Sequence, residues 1–226
     1  MLLSADDLQA FLLSLKLAGL VTACLLVAGT PVALWLARTG SRWKGLVGAV
    51  VAMPLVLPPT VLGFYLLLAM GPDGPVGKLT EALGLDPLPF SFAGLVVGSL
   101  VYSLPFAVQP IQDAFEAIGE RPFEVASTLG ASPIDAFFTV AIPLAKRGFL
   151  SAAALTFAHT MGEFGVVLML GGKRPGVTRT ASVEIFDAVD AGEYVRAHRL
   201  AGLLFAVALV VLVAVRAWRP KTRVAT

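Results

Sequence analysis

The chain has 226 residues, 57% of them hydrophobic and 14% charged, where soluble domains run at roughly 45–50% and 25%; a water-soluble core cannot absorb that excess. The formal net charge of +2 is too small to suggest a nucleic-acid partner, and the basic residues stand beside apolar runs rather than in one patch. Cys24 is the single cysteine, which excludes an internal disulfide and a cysteine-based metal cluster and leaves it a packing role.

Uncharged runs long enough to cross the hydrocarbon layer, about 20 residues for roughly 30 Å, recur along the chain. Five spans are expected, at about 17–37, 46–70, 92–112, 148–170 and 200–218. Before the first, Ser4 and Asp7 have the spacing of a capping box, so a helix starts near Ala5. Asp6 and Asp7 stand where a signal peptide would carry basic residues, and the segment is taken as retained. The apolar stretch already begins at Leu8, which makes the first helix longer than the membrane is thick and lets Lys16 snorkel to the interface.

Arg38, Arg42 and Lys44 follow the first span without acidic neighbours, and the tail 216–226 carries Arg216, Arg219, Lys221 and Arg223. The positive-inside rule puts both in the cytoplasm and the amino terminus outside. The second span holds Pro54, Pro58, Pro59 and Gly63, a cluster that must kink or interrupt it near mid-membrane. Such breaks line paths in transporters and also serve packing. The loop beyond is acidic on balance, with Asp73, Glu81 and Asp86 against Lys78, as an outer loop should be. Gly77-Lys78 is the nearest approach to a phosphate-binding loop, but Pro72 and Leu79 occupy the places of its first glycine and its hydroxyl.

The third span carries a polar stripe of Ser99, Tyr102, Ser103, Phe106 and Gln109. The fourth carries Thr156, His159, Thr160 and Glu163 on one helical face, directed to the bundle interior. Interhelical hydrogen bonding and contact with cargo are both open for these groups. With Pro58, Pro59 and Thr60, the residues Ser99, Ser103, Thr156, Thr160 and Glu163 are the candidate translocation path. Basic residues are absent from mid-membrane, so an anion would meet hydrogen-bond donors and no fixed counter-charge. One outer loop dissents from the charge rule: residues 172–199 hold Lys173, Arg174, Arg179, Arg196 and Arg199 among four carboxylates.

Between spans three and four, residues 113–147 are long enough for two short helices. Pro122 suits the start of the first, Gly130 the residue after its end, and Ser132-Pro133-Ile134-Asp135 the start of the second. Ile134, Phe137, Phe138 and Ala141 then share a face, and Pro143 should stop the helix before Lys146 and Arg147. That face suits either a membrane surface or a groove in a cytoplasmic protein, and two phenylalanines with little basic charge favour the groove.

Glu124-x-Ala126, Gly130 and Val140-x-Ile142-Pro143 resemble the "EAA" loop of ABC importer permeases, with Val125 in place of the usual first alanine. The likeness covers nearly the whole chain. Residues 53–63, Gly162-Glu-Phe-Gly165 and 175–180 look most like the molybdate permeases, with sulfate and tungstate relatives sharing parts of the pattern.

The resemblance implies an all-α integral membrane protein: five transmembrane helices in the type I importer arrangement, one domain over 1–226 with its core at about 8–218. It implies a coupling helix formed by Glu124, Ala126, Gly130, Ser132, Pro133, Ile134, Phe137, Phe138, Ile142 and Pro143. The implied partners are a second copy, two cytoplasmic ATPase subunits that hold ATP and Mg, an extracytoplasmic oxyanion-binding protein and membrane lipid. The place is a bacterial or archaeal cytoplasmic membrane. No catalytic group, metal or cofactor is expected in this chain. A self-sufficient carrier or channel is the competing class, against which stand the lack of an internal repeat and the scarcity of intramembrane carboxylates. A scaffold that passes no solute is the third.

Overall fold

The computed structural model describes residues 4–217, the side chains of 215 and 216 excepted; position 218 of the fifth span, the Arg216 side chain and the tail's Arg219, Lys221 and Arg223 lie outside the described residues. The first helix, α1 (Ala5–Arg38), starts on the expected capping box, in which the Asp7 amide donates to Ser4 Oγ at 3.1 Å and the Ser4 amide to the Asp7 carboxylate at 2.9 Å. It is followed by α2 (Lys44–Val56), α3 (Pro59–Met70), α4 (Pro75–Ala82) and α5 (Phe92–Ile118). Next come α6 (Arg121–Thr128), α7 (Pro133–Ala136), a π-helical turn (Phe137–Ala141) and α8 (Ile142–Gly162). The chain then runs through α9 (Gly165–Gly171), α10 (Ala181–Asp190) and α11 (Tyr194–Ala217).

Among the described residues, four helices are long and apolar enough to cross a membrane: Ala5–Arg38, Phe92–Ile118, Pro133–Gly162 and Tyr194–Ala214. A bent pair, Lys44–Val56 and Pro59–Ala82, turns by 114° and supplies the fifth crossing when counted as one span. The bend falls on Leu57 and Pro58, both extended, where the proline cluster removes backbone donors.

Three expectations are corrected. Pro143 does not stop the inner-loop helix; it sits in the first turn of α8, and Pro133–Gly162 is one 30-residue helix. The π turn makes this possible: the Ile142 amide bonds back to the Phe137 carbonyl, and the widened turn takes in a proline that an α-helical ladder would reject. The same turn splits the expected apolar face. Phe137 and Ala141 point inward, while Ile134 and Phe138 remain exposed. The fourth span is likewise not continuous over 148–170, since α8 ends at Gly162 and Glu163 is extended with ψ of 128°.

The bundle packs in two apolar clusters. Leu17, Val21, Leu95, Val166 and Leu170 fill one end, and Leu36, Val108, Ile111, Phe115 and Ala145 fill the other. Close approach depends on small residues, as in membrane helices generally. A Cβ on Gly148 would lie 2.6 Å from the Pro110 carbonyl oxygen of α5.

The loop that dissented from the charge rule is tied down by ion pairs. Lys173 meets Asp187 at 2.5 Å, Arg179 meets Glu184 at 2.5 Å and Asp187 at 3.0 Å, and Arg196 meets Asp7 at 2.7 Å, Glu193 at 3.1 Å and Glu184. Arg196 thus fastens α11 to α10 and to the start of α1. Removing one partner from a buried pair costs about 3–5 kcal/mol; with Arg196 one-third exposed we expect roughly 2–3 kcal/mol from Arg196→Leu. The unfolding midpoint in detergent should then fall by roughly 5–10 °C. A smaller loss on adding Asp7→Asn would confirm that the stranded Asp7 carboxylate is the source.

Candidate functional site

The polar stripes of spans three and four meet along a seam between α5 and α8. Ser103 Oγ lies 2.9 Å from His159 Nδ1 and 2.9 Å from Thr160 Oγ1. The His159 ring is held between Phe106, stacked at 4.0 Å, and Tyr102 at 4.6 Å. Ser99, Ser103, Thr156, Thr160 and Glu163 are all buried, and Gln109 alone of the expected stripe is exposed. Ser103 therefore satisfies two groups of α8 at once, the interhelical role left open by the sequence. The Thr156 hydroxyl is buried without a hydrogen bond among the described residues, and the Ser99 hydroxyl and the Glu163 carboxylate are buried within interaction distance of each other with bonding capacity to spare. Buried polar atoms rarely stay unpaired, so these can receive water or a polar solute.

Glu163 stands at the break between α8 and α9, and its backbone carbonyl accepts a 2.5 Å hydrogen bond from Ser182 Oγ of α10. This break abuts the other one. A Cβ on Gly165 would lie 2.6 Å from Pro59 Cβ, and one on Gly63 would lie 2.8 Å from Met169 Cβ. Pro58 and Thr60 are exposed beside this junction and Pro59 is half-buried. The expected path residues thus form two groups, one at the paired helix breaks and one down the α5–α8 seam. The roles of His159 as a ring clamped by two aromatics and of Ser182 as the cap of a broken helix were not legible, because each depends on an element far away in sequence.

The inner-loop residues form a separate surface. Gly130 ends α6 with φ of +85°, a left-handed conformation that favours glycine. Ser132 and Asp135 close the expected capping box at the start of α7. Ile134 is 71% exposed and Phe138 63%, joined by Val125 and by Leu129 at 83%. Sequence reasoning missed Val125 and Leu129, although both lie within the motif. Ala126 and Ala136 are buried and Phe137 packs on Phe115, so these residues hold the loop while Glu124, Ile134, Phe138 and Pro143 face outward. Ile142 is half-buried. The Arg38 guanidinium lies 3.5 Å from the centre of the Phe123 ring, pinning α6 to the end of α1.

The family model for the inner membrane component of binding-protein-dependent transport systems matches residues 29–218. The chain belongs to this family. Among its relatives is the molybdenum transport system permease protein ModB of Azotobacter vinelandii, 66% identical over 212 residues that cover 94% of each chain. The protein of the same name from Escherichia coli strain K12 is 35% identical over 214 residues, 94% of this chain and 93% of that one.

Two solved structures share the fold of this family member. A chain of a bacterial alginate ABC transporter, in complex with a periplasmic protein, superposes with a TM-score of 0.76 at 17% identity, over 94% of this chain and 77% of that one. A chain of an inward-facing methionine ABC transporter gives 0.70 at 18% identity, over 93% and 94%. The all-helical permease fold and the likeness to the permease family are thereby established, and the chain is a multi-pass transport permease subunit.

Proposed function

We propose that the chain is the pore-forming subunit of an ABC importer that carries molybdate across the cytoplasmic membrane. The 66% identity to a molybdenum permease along 94% of the chain carries this reading. The seam supports it chemically: buried hydroxyls and a clamped imidazole offer hydrogen bonds to a tetrahedral dianion without a lysine or arginine that would trap it.

Two copies surround the path. Each presents Ile134 and Phe138 to an ATPase subunit, which holds ATP and Mg, and a separate extracytoplasmic protein supplies the captured oxyanion. The amino terminus lies outside and the carboxyl terminus in the cytoplasm, as Arg38, Arg42 and Lys44 require. The two helix breaks are the moving parts of alternating access.

The test is uptake of labelled molybdate into vesicles holding this chain, the ATPase and the binding protein, with tungstate and sulfate as competitors. ATP-dependent uptake reduced most by tungstate and least by sulfate is expected. Uptake that proceeds without the ATPase would overturn the importer assignment, and preferred uptake of sulfate would overturn the cargo.

A further inference from the structure

The Ser103 hydroxyl has one hydrogen and two acceptors in reach, His159 Nδ1 and Thr160 Oγ1, each at 2.9 Å. Thr160 also carries one hydrogen, and among the described residues its hydroxyl bonds to Ser103 alone. Counting donors and acceptors leaves a single arrangement that gives both hydrogens an acceptor. Thr160 donates to Ser103, and Ser103 donates to Nδ1. Nδ1 is then the acceptor nitrogen of the ring, and the imidazole hydrogen sits on Nε2.

Nε2 has no partner among the described residues, and unlike the Thr156 hydroxyl it is not sealed inside the bundle. Phe106, stacked on the ring at 4.0 Å, and Tyr102, at 4.6 Å, fix its plane, while the Ser103 bond fixes its rotation and turns Nε2 away from Ser103. The face on which Nε2 opens is set by α5. Tyr102, Phe106 and Gln109 fall there at i, i+4 and i+7, the first two half-buried and Gln109 exposed. A phenol, an amide and an imidazole at membrane depth turn toward a protein interior or a water-filled passage and away from lipid tails. The open edge of the seam therefore belongs to the passage.

We propose that the Nε2–H of His159 is a hydrogen-bond donor to a tetrahedral oxyanion in passage, and that Thr160 and Ser103 are positioning residues that keep the hydrogen on Nε2. This rests on the importer reading of the seam and names the atom that meets the cargo. A dianion whose oxygens carry no hydrogen can accept only, and a bond to it is stronger than one between neutral groups. In the opposite tautomer Nε2 would turn a lone pair to the anion. The direction of two hydroxyls on the far side of the ring thus decides whether the imidazole attracts or repels what passes.

Two measurements test this. The full-length chain has two histidines, His159 and the exposed His198, so isotope-labelled histidine in a His198→Gln background leaves one imidazole to observe by nitrogen NMR in detergent. The hydrogen is expected on Nε2, and adding Ser103→Ala should populate both tautomers. The second measurement is molybdate uptake into vesicles with the ATPase and the binding protein, taken per assembled transporter. His159→Phe keeps a stacked ring and loses the N–H, and should lower uptake about tenfold. His159→Gln cannot stack, but its amide nitrogen reaches the place of Nε2, and it should retain most of the uptake.

A ring that served packing alone would give the reverse order of the two variants. A hydrogen found on Nδ1, His159→Phe uptake equal to wild type, or His159→Gln uptake below that of His159→Phe would each overturn the proposal and leave the importer reading intact. Wild-type vesicles that take up no molybdate would instead overturn the cargo reading, while the NMR result still decides the tautomer.

Discussion

Replacing Phe138 by aspartate is expected to reduce ATP-driven uptake by about 100-fold or more while the chain still inserts and folds. Phe138 is 63% exposed and meets the Phe137 ring edge-on at 5.0 Å, so little of the folded chain leans on it. Ile134, one turn before it, is exposed at 71%, and Leu129 at the end of α6 at 83%. An apolar ridge with a central aromatic is the usual make-up of an interface hot spot, where truncation costs about 2 kcal/mol or more. Aspartate adds the cost of burying an unpaired charge on docking. In the proposed assembly of two copies, two such ridges double the effect. Copurification of the ATPase and vesicle uptake should fall together, and unchanged association would place the docking surface elsewhere.

Gly148→Leu is expected to prevent folding rather than impair transport. Ala141, Ala145, Gly148 and Ala152 form a buried stripe of small residues on one side of α8, and the stripe brings α8 against α5. A side chain at Gly148 would start 2.6 Å from the Pro110 carbonyl oxygen, which is backbone and cannot rotate away. Overpacking of this kind costs about 1–3 kcal/mol where neighbours can yield; here separating α5 from α8 also breaks the Ser103 contacts with His159 and Thr160, so the loss should be larger. Abundance in the membrane and resistance to heating in detergent should both collapse. A Gly148→Leu protein as stable as the wild type would show that the two helices are not in close contact.

Features set by local chemistry were legible in the sequence. The capping boxes at Ser4 and Ser132, the left-handed glycine at 130 and the break at Pro58 each depend on a few neighbouring residues, and each appears where expected. The polar stripes of spans three and four were legible from 3.6-residue periodicity, and their meeting at Ser103 followed. Two local rules failed for definable reasons. Pro143 reads as a helix stop only when α-helical hydrogen bonding is assumed, and one π turn removes that assumption.

The end of α8 at Gly162 carries a weaker sign than a proline. Glu163 is drawn out of the helix by contacts from a distant element, since Ser182 of α10 takes over its carbonyl. The ion-paired outer loop illustrates the same limit. Its basic residues weigh against an outer position when counted along the sequence, but Arg196 and Asp7 are 189 residues apart and only folding brings them together. The exposure of Val125 and Leu129 leaves no periodic mark, because α6 is only eight residues long and its apolar positions do not repeat over enough turns to define a face.

The uninterrupted helix from Pro133 to Gly162 joins Phe138, at one end, to Thr156 and Thr160 of the seam, roughly 27 Å and more away at 1.5 Å per residue. A stiff arm of that kind works as a lever with its handle in the docking loop and its tip at Glu163. In the proposed importer, tilting the handle swings the tip, which is tied onward both by the Gly165–Pro59 junction and by the Ser182 hydrogen bond to the Glu163 carbonyl.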